Sequence, residues 1–257
     1  MAGHSKWANI KHRKAAQDKK RGKIWTKCSK AIIVAAKNGG PDPATNLALR
    51  YAIDEAKYAN MPKDTIQRAI DKGAGSAGGE DYQQNIYEGY GPAGTALIVE
   101  ALTDNPTRTV NDIRMIFKKG GGNLGNSGSV AFMFETKGRF IIEGRRDGKA
   151  LSEDEVMETA LEAGAEDVQS PEPGEEDPIF TVLCAATDFA QVKEALEAST
   201  LTIRDAEIAK IPQQYVSVAG EDAQKVLNLI EALEDNDDVQ KVYSNADIPD
   251  DVLAAMG

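Results

Sequence analysis

At 257 residues, with roughly 100 to 200 residues to a domain, the chain has room for two or three domains, each large enough to bury a core. Two cysteines (Cys28, Cys184) and two histidines (His4, His12) leave no material for a disulfide framework or a Cys/His zinc cage. The cationic N-terminus lacks an apolar signal core, and no run approaches the ~18 apolar residues of a membrane span. The expectation is a protein of the reducing cytoplasm, with no membrane partner. The formal charge of −11 is very unevenly spread: residues 1–79 hold 16 Lys and Arg against six Asp and Glu, and residues 80–257 hold 14 against 35. Such asymmetry points to an anionic partner for the basic end, while the acidic remainder limits indiscriminate binding.

In chain order, the 3.6-residue spacing of Ile24, Cys28, Ala31, Ile32 and Ala35 predicts a long helix over 18–37, stopped at Asn38-Gly39-Gly40. Lys20, Lys23, Lys27 and Lys30 fall in one stripe beside that apolar face. Asp42-Pro43 reads as the N-cap and first position of a second helix, with Leu49, Ile53 and Ala56 inward, ending at Asn60-Met61-Pro62. Pro62 opens a third helix with Ile66, Ala69 and Ile70 inward, closed by Gly73, and residues 75–79 form a glycine linker. Beyond it, 95–102 reads as strand, 108–119 as helix and 129–135 as strand. Residues 139–143, 152–163, 166–169, 179–184, 188–198 and 206–211 then read β-α-β-β-α-β, the split pattern of a ferredoxin-like fold. A closing β-α-β falls at 215–218, 221–234 and 239–243. The expectation is an α+β protein with a helical N-terminal domain (1–79) followed by two nested ferredoxin-like domains, the outer at 80–135 plus 211–245 and the inserted one at 136–210.

Gly120-Gly121-Gly122-Asn123-Leu124-Gly125 matches a dinucleotide-binding G-x-G-x-x-G, but it follows a helix and precedes a strand, the reverse of the order phosphate binding needs. It reads as a helix stop. There is no P-loop sequence. His12 sits among Lys11, Arg13 and Lys14, which favours phosphate contact or exposure over ligation. Cys28 and Trp25 fall on the apolar side of the first helix and read as core, whereas Trp7 remains free to stack on a base. The clustered carboxylates at 153–155, 172–177 and 234–238 read as a helix start, a loop and a turn.

Several long motifs are specific: Met1-Ala2-Gly3-His4-Ser5-Lys6-Trp7-Ala8-Asn9-Ile10-Lys11-His12-Arg13-Lys14, Gly22-Lys23-Ile24-Trp25-Thr26-Lys27, Asn60-Met61-Pro62-Lys63-Asp64, Tyr87-Glu88-Gly89-Tyr90-Gly91-Pro92, Glu100-Ala101-Leu102-Thr103-Asp104-Asn105, and 121–130. In these the chain resembles the YebC/PmpR family, which includes the mitochondrial translational activator of cytochrome oxidase. The resemblance implies a three-domain cytoplasmic protein without enzymatic activity: a DNA-binding transcriptional regulator or a ribosome-associated factor helping translation through proline runs. Trp25 stands where the family usually has Phe, Cys28 where Leu is common, Ala93 where Gly is usual, and Pro106 where a polar residue is expected.

The combined expectation is a non-enzymatic nucleic-acid-binding regulator without cofactor, metal or small-molecule substrate. Phosphate contacts are assigned to Lys6, Lys11, His12, Arg13, Lys14, Lys20, Arg21, Lys23, Lys27 and Lys30. DNA is the first target, and ribosomal RNA is the alternative because an acidic body is better tolerated on an assembly with mixed surfaces. A groove enzyme lined by Asp104, Asn105, Arg108 and the 121–125 loop is a weaker reading, since Asp104 or Asn105 also serves to cap the following helix.

Overall fold

The computed structural model describes residues 18–75, 82–171, 175 and 177–248, with side chains of the first helix from residue 22 onward. The linker at 75–79 lies, apart from Gly75, outside the described residues. The protein is α+β and divides into two compact units, Glu135–Ile211 and residues 18–134 with 212–248.

Three helices open the larger unit: α1 (Asp18–Gly39), α2 (Leu47–Tyr58) and α3 (Lys63–Ala74). Their core joins Cys28, Ile32, Ile33 and Ala36 of α1 to Leu49, Ile53 and Ala56 of α2 and Ile66, Ala69 and Ile70 of α3. Trp25 packs against the same core and donates its indole N–H to the Ala59 carbonyl, 3.1 Å away. The second helix begins four residues later than Asp42-Pro43 suggests. Asp42 accepts from the Ala44 N–H in a turn, and Asn46 takes the capping role, its side-chain oxygen accepting from Leu49 N–H. The Asn46 amide nitrogen also donates to the carbonyls of Ala35 and Gly40, which ties the start of α2 to the end of α1. Gly73 lies inside α3 rather than ending it: a Cβ there would come within 2.5 Å of the Ile33 carbonyl, so glycine permits α1 and α3 to cross closely.

Next come β1 (Gln83–Tyr90), β2 (Ala96–Thr103), α4 (Pro106–Lys119) and β3 (Asn123–Leu124). Strands β1 and β2 pair antiparallel, Gln83 opposite Thr103 and Tyr90 opposite Ala96. Their connection holds Ala93 at φ 55, a left-handed conformation that costs an L-residue roughly 1–2 kcal/mol. Strand β1 has no counterpart in the sequence reading. The strand expected at 129–135 is instead a loop and a short 3-10 turn at Ala131–Met133, after which one continuous strand, β4 (Phe134–Glu143), runs into the smaller unit.

In that unit β4 is followed by the hairpin β5 (Arg145–Arg146) and β6 (Lys149–Ala150), then α5 (Glu153–Glu162), β7 (Asp167–Gln169), β8 (Ile179–Ala185), α6 (Phe189–Ala198) and β9 (Ile203–Pro212). Asp147 and Gly148 both have positive φ, as a two-residue hairpin turn requires. The sheet order β7-β8-β4-β9 is the ferredoxin-like arrangement. Phe140 of β4 stacks on Phe189 of α6 at 5.0 Å between centroids. As the sequence suggests, Ser152 caps α5, its hydroxyl accepting from Glu155 N–H.

The chain then returns through β10 (Val216–Ser217), α7 (Gly220–Glu234), β11 (Val239–Ser244) and β12 (Ala246–Asp247). Strand β11 completes the larger unit's sheet, of order β11-β2-β1-β3, while β10 pairs with β12 in a separate parallel ribbon.

Candidate nucleic-acid interface

Of the residues assigned to phosphate contact, Lys6, Lys11, His12, Arg13 and Lys14 lie outside the described residues. Lys20 and Arg21 lie in the first turn of α1, and their side chains are likewise outside the description. Lys23, Lys27 and Lys30 form a ridge, and that ridge faces the C-terminal end of α7. Lys23 Nζ donates to the Asp235 carboxylate at 3.0 Å and to its carbonyl at 3.3 Å. Lys27 Nζ donates to the Glu234 carbonyl at 2.6 Å, and Lys30 Nζ to the Asp237 carbonyl at 2.8 Å. A helix leaves its last carbonyls without intrahelical donors and carries a partial negative charge there. Helix α7 has no basic residue in its own last turn. The α1 lysines supply that positive charge from a distant part of the chain.

The same contact ends in a buried polar hub at Asp238. One carboxylate oxygen, Oδ1, accepts from Lys30 at 3.2 Å; the other, Oδ2, accepts from Arg108 at 2.8 Å, Thr109 at 2.8 Å and Thr103 at 3.3 Å. Burial alone would raise this carboxyl's pKa, but the hydrogen bonds from Arg108, Thr109 and Lys30 outweigh it and hold it below the ordinary carboxylate value. Arg108 also bonds Asp104 at 2.9 Å, and Asn105 caps α4 by accepting from the Arg108 N–H at 3.1 Å. The three polar residues assigned to a groove enzyme are therefore engaged in capping and in this hub. Asp238 is the residue that the sequence reading missed. It lay in the acidic run 234–238, whose match to the lysine ridge is a matter of charge sign, but nothing local pairs segments more than 200 positions apart.

The glycine run after α4 has packing reasons. A Cβ on Gly120 would press on Leu229 of α7 at 2.8 Å, one on Gly122 would meet the Tyr90 carbonyl at 2.3 Å, and Gly121 has φ +79. The turn is the helix stop that its place in the chain indicates. Beyond it, the buried carboxylate of Glu88 accepts from the backbone N–H groups of Gly128, Val130 and Ala131 at 2.7, 2.8 and 2.8 Å. Burial pushes its pKa up, and these three donors more than reverse the shift. Cys28 and Cys184 are both buried free thiols, and burial, reinforced by Asp188 and Glu166, pushes Cys184 up to about 11. Among the described residues no helix is long and apolar enough to cross a membrane.

The architecture defines a class: an α+β protein whose basic helical segment is fastened to the sheet-bearing part of its unit through the end of α7. The chain belongs to the TACO1/YebC family, the N-terminal domain of which matches residues 5–76 and the second and third domains residues 82–246. Its relatives include proteins named "Probable transcriptional regulatory protein". One from Syntrophotalea carbinolica is 53% identical over 256 residues, covering 100% of this chain and 99% of the relative. One from Dictyoglomus turgidum is 51% identical, covering 100% of both. A crystal structure of a conserved hypothetical protein from Aquifex aeolicus superposes with a TM-score of 0.80 at 45% identity, over 91% of this chain and 93% of that one. The resemblance seen in the motifs is thus a family membership, and the relatives' names mark that family as regulatory.

Proposed function

We propose that this protein is a non-enzymatic, cytoplasmic regulator of gene expression that binds nucleic acid, with duplex DNA as its first target. The observation that carries this reading is charge: through residue 40 the chain has 11 Lys and Arg against one acid, Asp18, in a protein that is otherwise strongly acidic. The names of its relatives agree. Because Lys23, Lys27 and Lys30 reach a phosphate only by giving up their bonds to residues 234–238, first contact falls to Lys6, Lys11, His12, Arg13, Lys14, Lys20 and Arg21. These contacts position the protein on a backbone and do not by themselves read sequence.

The test is binding of the full chain to labelled duplex DNA between 50 and 200 mM salt, alongside a Lys6→Ala, Lys11→Ala, Arg13→Ala, Lys14→Ala variant. On duplex DNA each neutralised phosphate contributes about 0.9 to the slope of log affinity against log salt. The variant is expected to lose that much per contact removed. Parental binding that ignores salt, or a variant that binds like the parent, overturns the reading. The acidic body favours a second reading, ribosomal RNA as the target, because its charge is better tolerated on mixed surfaces. Displacement of bound duplex by purified ribosomes at near-physiological salt is the outcome that selects it.

A further inference from the structure

The larger unit carries a second row of cations that differs from the first in forming no ion pair among the described residues. On α4, Asn111, Arg114, Met115 and Lys118 recur at i, i+3, i+4 and i+7 and are all exposed, with Lys119 beside them. Residues 80–257 hold 14 cations against 35 acids, and most of those cations sit against a carboxylate: Arg108, Lys137, Arg139, Arg146, Lys193, Arg204, Lys225 and Lys241 all form ion pairs. Among the described residues the Arg114 side chain makes no ion pair and bonds only the Asn111 side chain of its own helix. The side chains of Lys118 and Lys119 bond nothing among the described residues.

Complementing the helix end does not account for these lysines. Three of the last four carbonyls of α4 are already taken by backbone donors: Gly120 N–H goes to Ile116, Gly121 N–H to Lys118 and Gly122 N–H to Phe117. Helices α5, α6 and α7 also end without a basic residue in the last turn, so such residues are not a general device of this body. Six of the 14 form no ion pair among the described residues; Arg145 and Lys149 lie on the short hairpin and Lys210 bonds Thr136, whereas Arg114, Lys118 and Lys119 are gathered at one helix end, an arrangement that an external anion completes. Arg114 and Lys118 stand four residues, about 6 Å, apart along the axis, a spacing that lets both reach one strand's backbone. Met115, 55% exposed between them, offers an apolar surface to a sugar or base.

Resting on the nucleic-acid reading above, we propose that Arg114, Lys118 and Lys119 form a second phosphate-contacting surface, which holds a nucleic acid backbone against the acidic body while the N-terminal arm holds it elsewhere. The chemistry is shared by DNA and RNA.

The experiment uses the full chain, a 20-base single-stranded RNA and a 20-base-pair duplex DNA, and three variants: Lys118→Gln with Lys119→Gln, the charge-matched Arg145→Gln with Lys149→Gln on the exposed β5–β6 hairpin, and the arm variant above. Removing two contacts is expected to lower the salt slope by about 1.8 on duplex or about 1.4 on single strands, with the hairpin control unchanged. A loss of the full two-contact value on one probe, with little or none on the other, identifies the source of the phosphate. Equal losses in the α4 and hairpin variants reveal a bulk-charge effect and overturn the proposal, as does no loss in the α4 variant. If the arm variant alone loses binding, the proposed function stands and this surface falls; if the parent binds neither probe, both fall.

Discussion

Two helices of the larger unit each display cations at helical spacing, and their fates are opposite. On α1 the ridge of Lys23, Lys27 and Lys30 is bonded to carbonyls and carboxylates at 234–238, whereas on α4 the row of Arg114, Lys118 and Lys119 faces solvent. The difference lies in what stands opposite. The α1 ridge meets a helix end that brings no positive charge of its own, while the α4 lysines end a helix already closed by glycine N–H groups. A cationic stripe is therefore a statement about complementarity, and the complement can be the same chain.

That contrast can be broken most severely at Asp238. Its side chain is 9% exposed and accepts from Lys30, Arg108 and two threonines, so Asp238→Ala removes their shared acceptor, although Lys30 keeps the Asp237 carbonyl and Arg108 keeps Asp104. A loss of about 2–3 kcal/mol is expected in urea unfolding; a loss under 1 kcal/mol would show that the hub does not hold the α1 ridge. Acid probes the same group. The folded carboxyl lies below its ordinary value, so its stabilisation is fully present above about pH 4 and is lost as the pH falls through the folded value. The parent's urea midpoint is expected to fall below pH 4, and that of Asp238→Asn to fall less steeply.

Lys27→Met comes next. Removing a charge-assisted bond to the Glu234 carbonyl is expected to cost about 1–2 kcal/mol while keeping the aliphatic packing, and faster amide exchange at the end of α7 would accompany it. The smallest effect is assigned to Lys23→Ala, whose ion pair is 46% and 60% exposed on its two sides; urea unfolding is expected to shift by about 0.5 kcal/mol or less. Lys118→Ala is expected to shift stability just as little, so the two rows differ in what Lys27 and Lys30 do rather than in lysine as such.

Much of this was legible locally. The apolar face of α1, the burial of Cys28 and the packing of a partly buried Trp25 on the same core, the caps at Asn105 and Ser152 and the inserted β-α-β-β-α-β order all follow from spacing and residue type within a few positions. What stayed hidden has tertiary causes. Strand β1 reads Gln-Gln-Asn-Ile-Tyr-Glu-Gly-Tyr, too polar to announce itself, because its Glu88 is buried to organise a loop and its Gly89 makes room for Phe117. Residues 129–133 carry β-prone side chains, yet Glu88 takes the N–H groups of Val130 and Ala131 that a ladder would use. The lysine ridge was plain as a stripe, but its partner was not, since the pairing leaves no trace at short range.

The bond between Lys23 and Asp235 joins residues 212 positions apart. A chain emerging from the ribosome therefore presents its basic helix long before the segment that covers it exists. Residues 135–211 are contiguous and can complete their own sheet in the meantime, whereas the larger unit waits for α7 and β11. Contacts this distant in sequence are slow to form, and domains generally fold in order of synthesis. Throughout that interval Lys23, Lys27 and Lys30 are open to whatever anion is nearest, so the last stretch synthesised decides when the ridge closes.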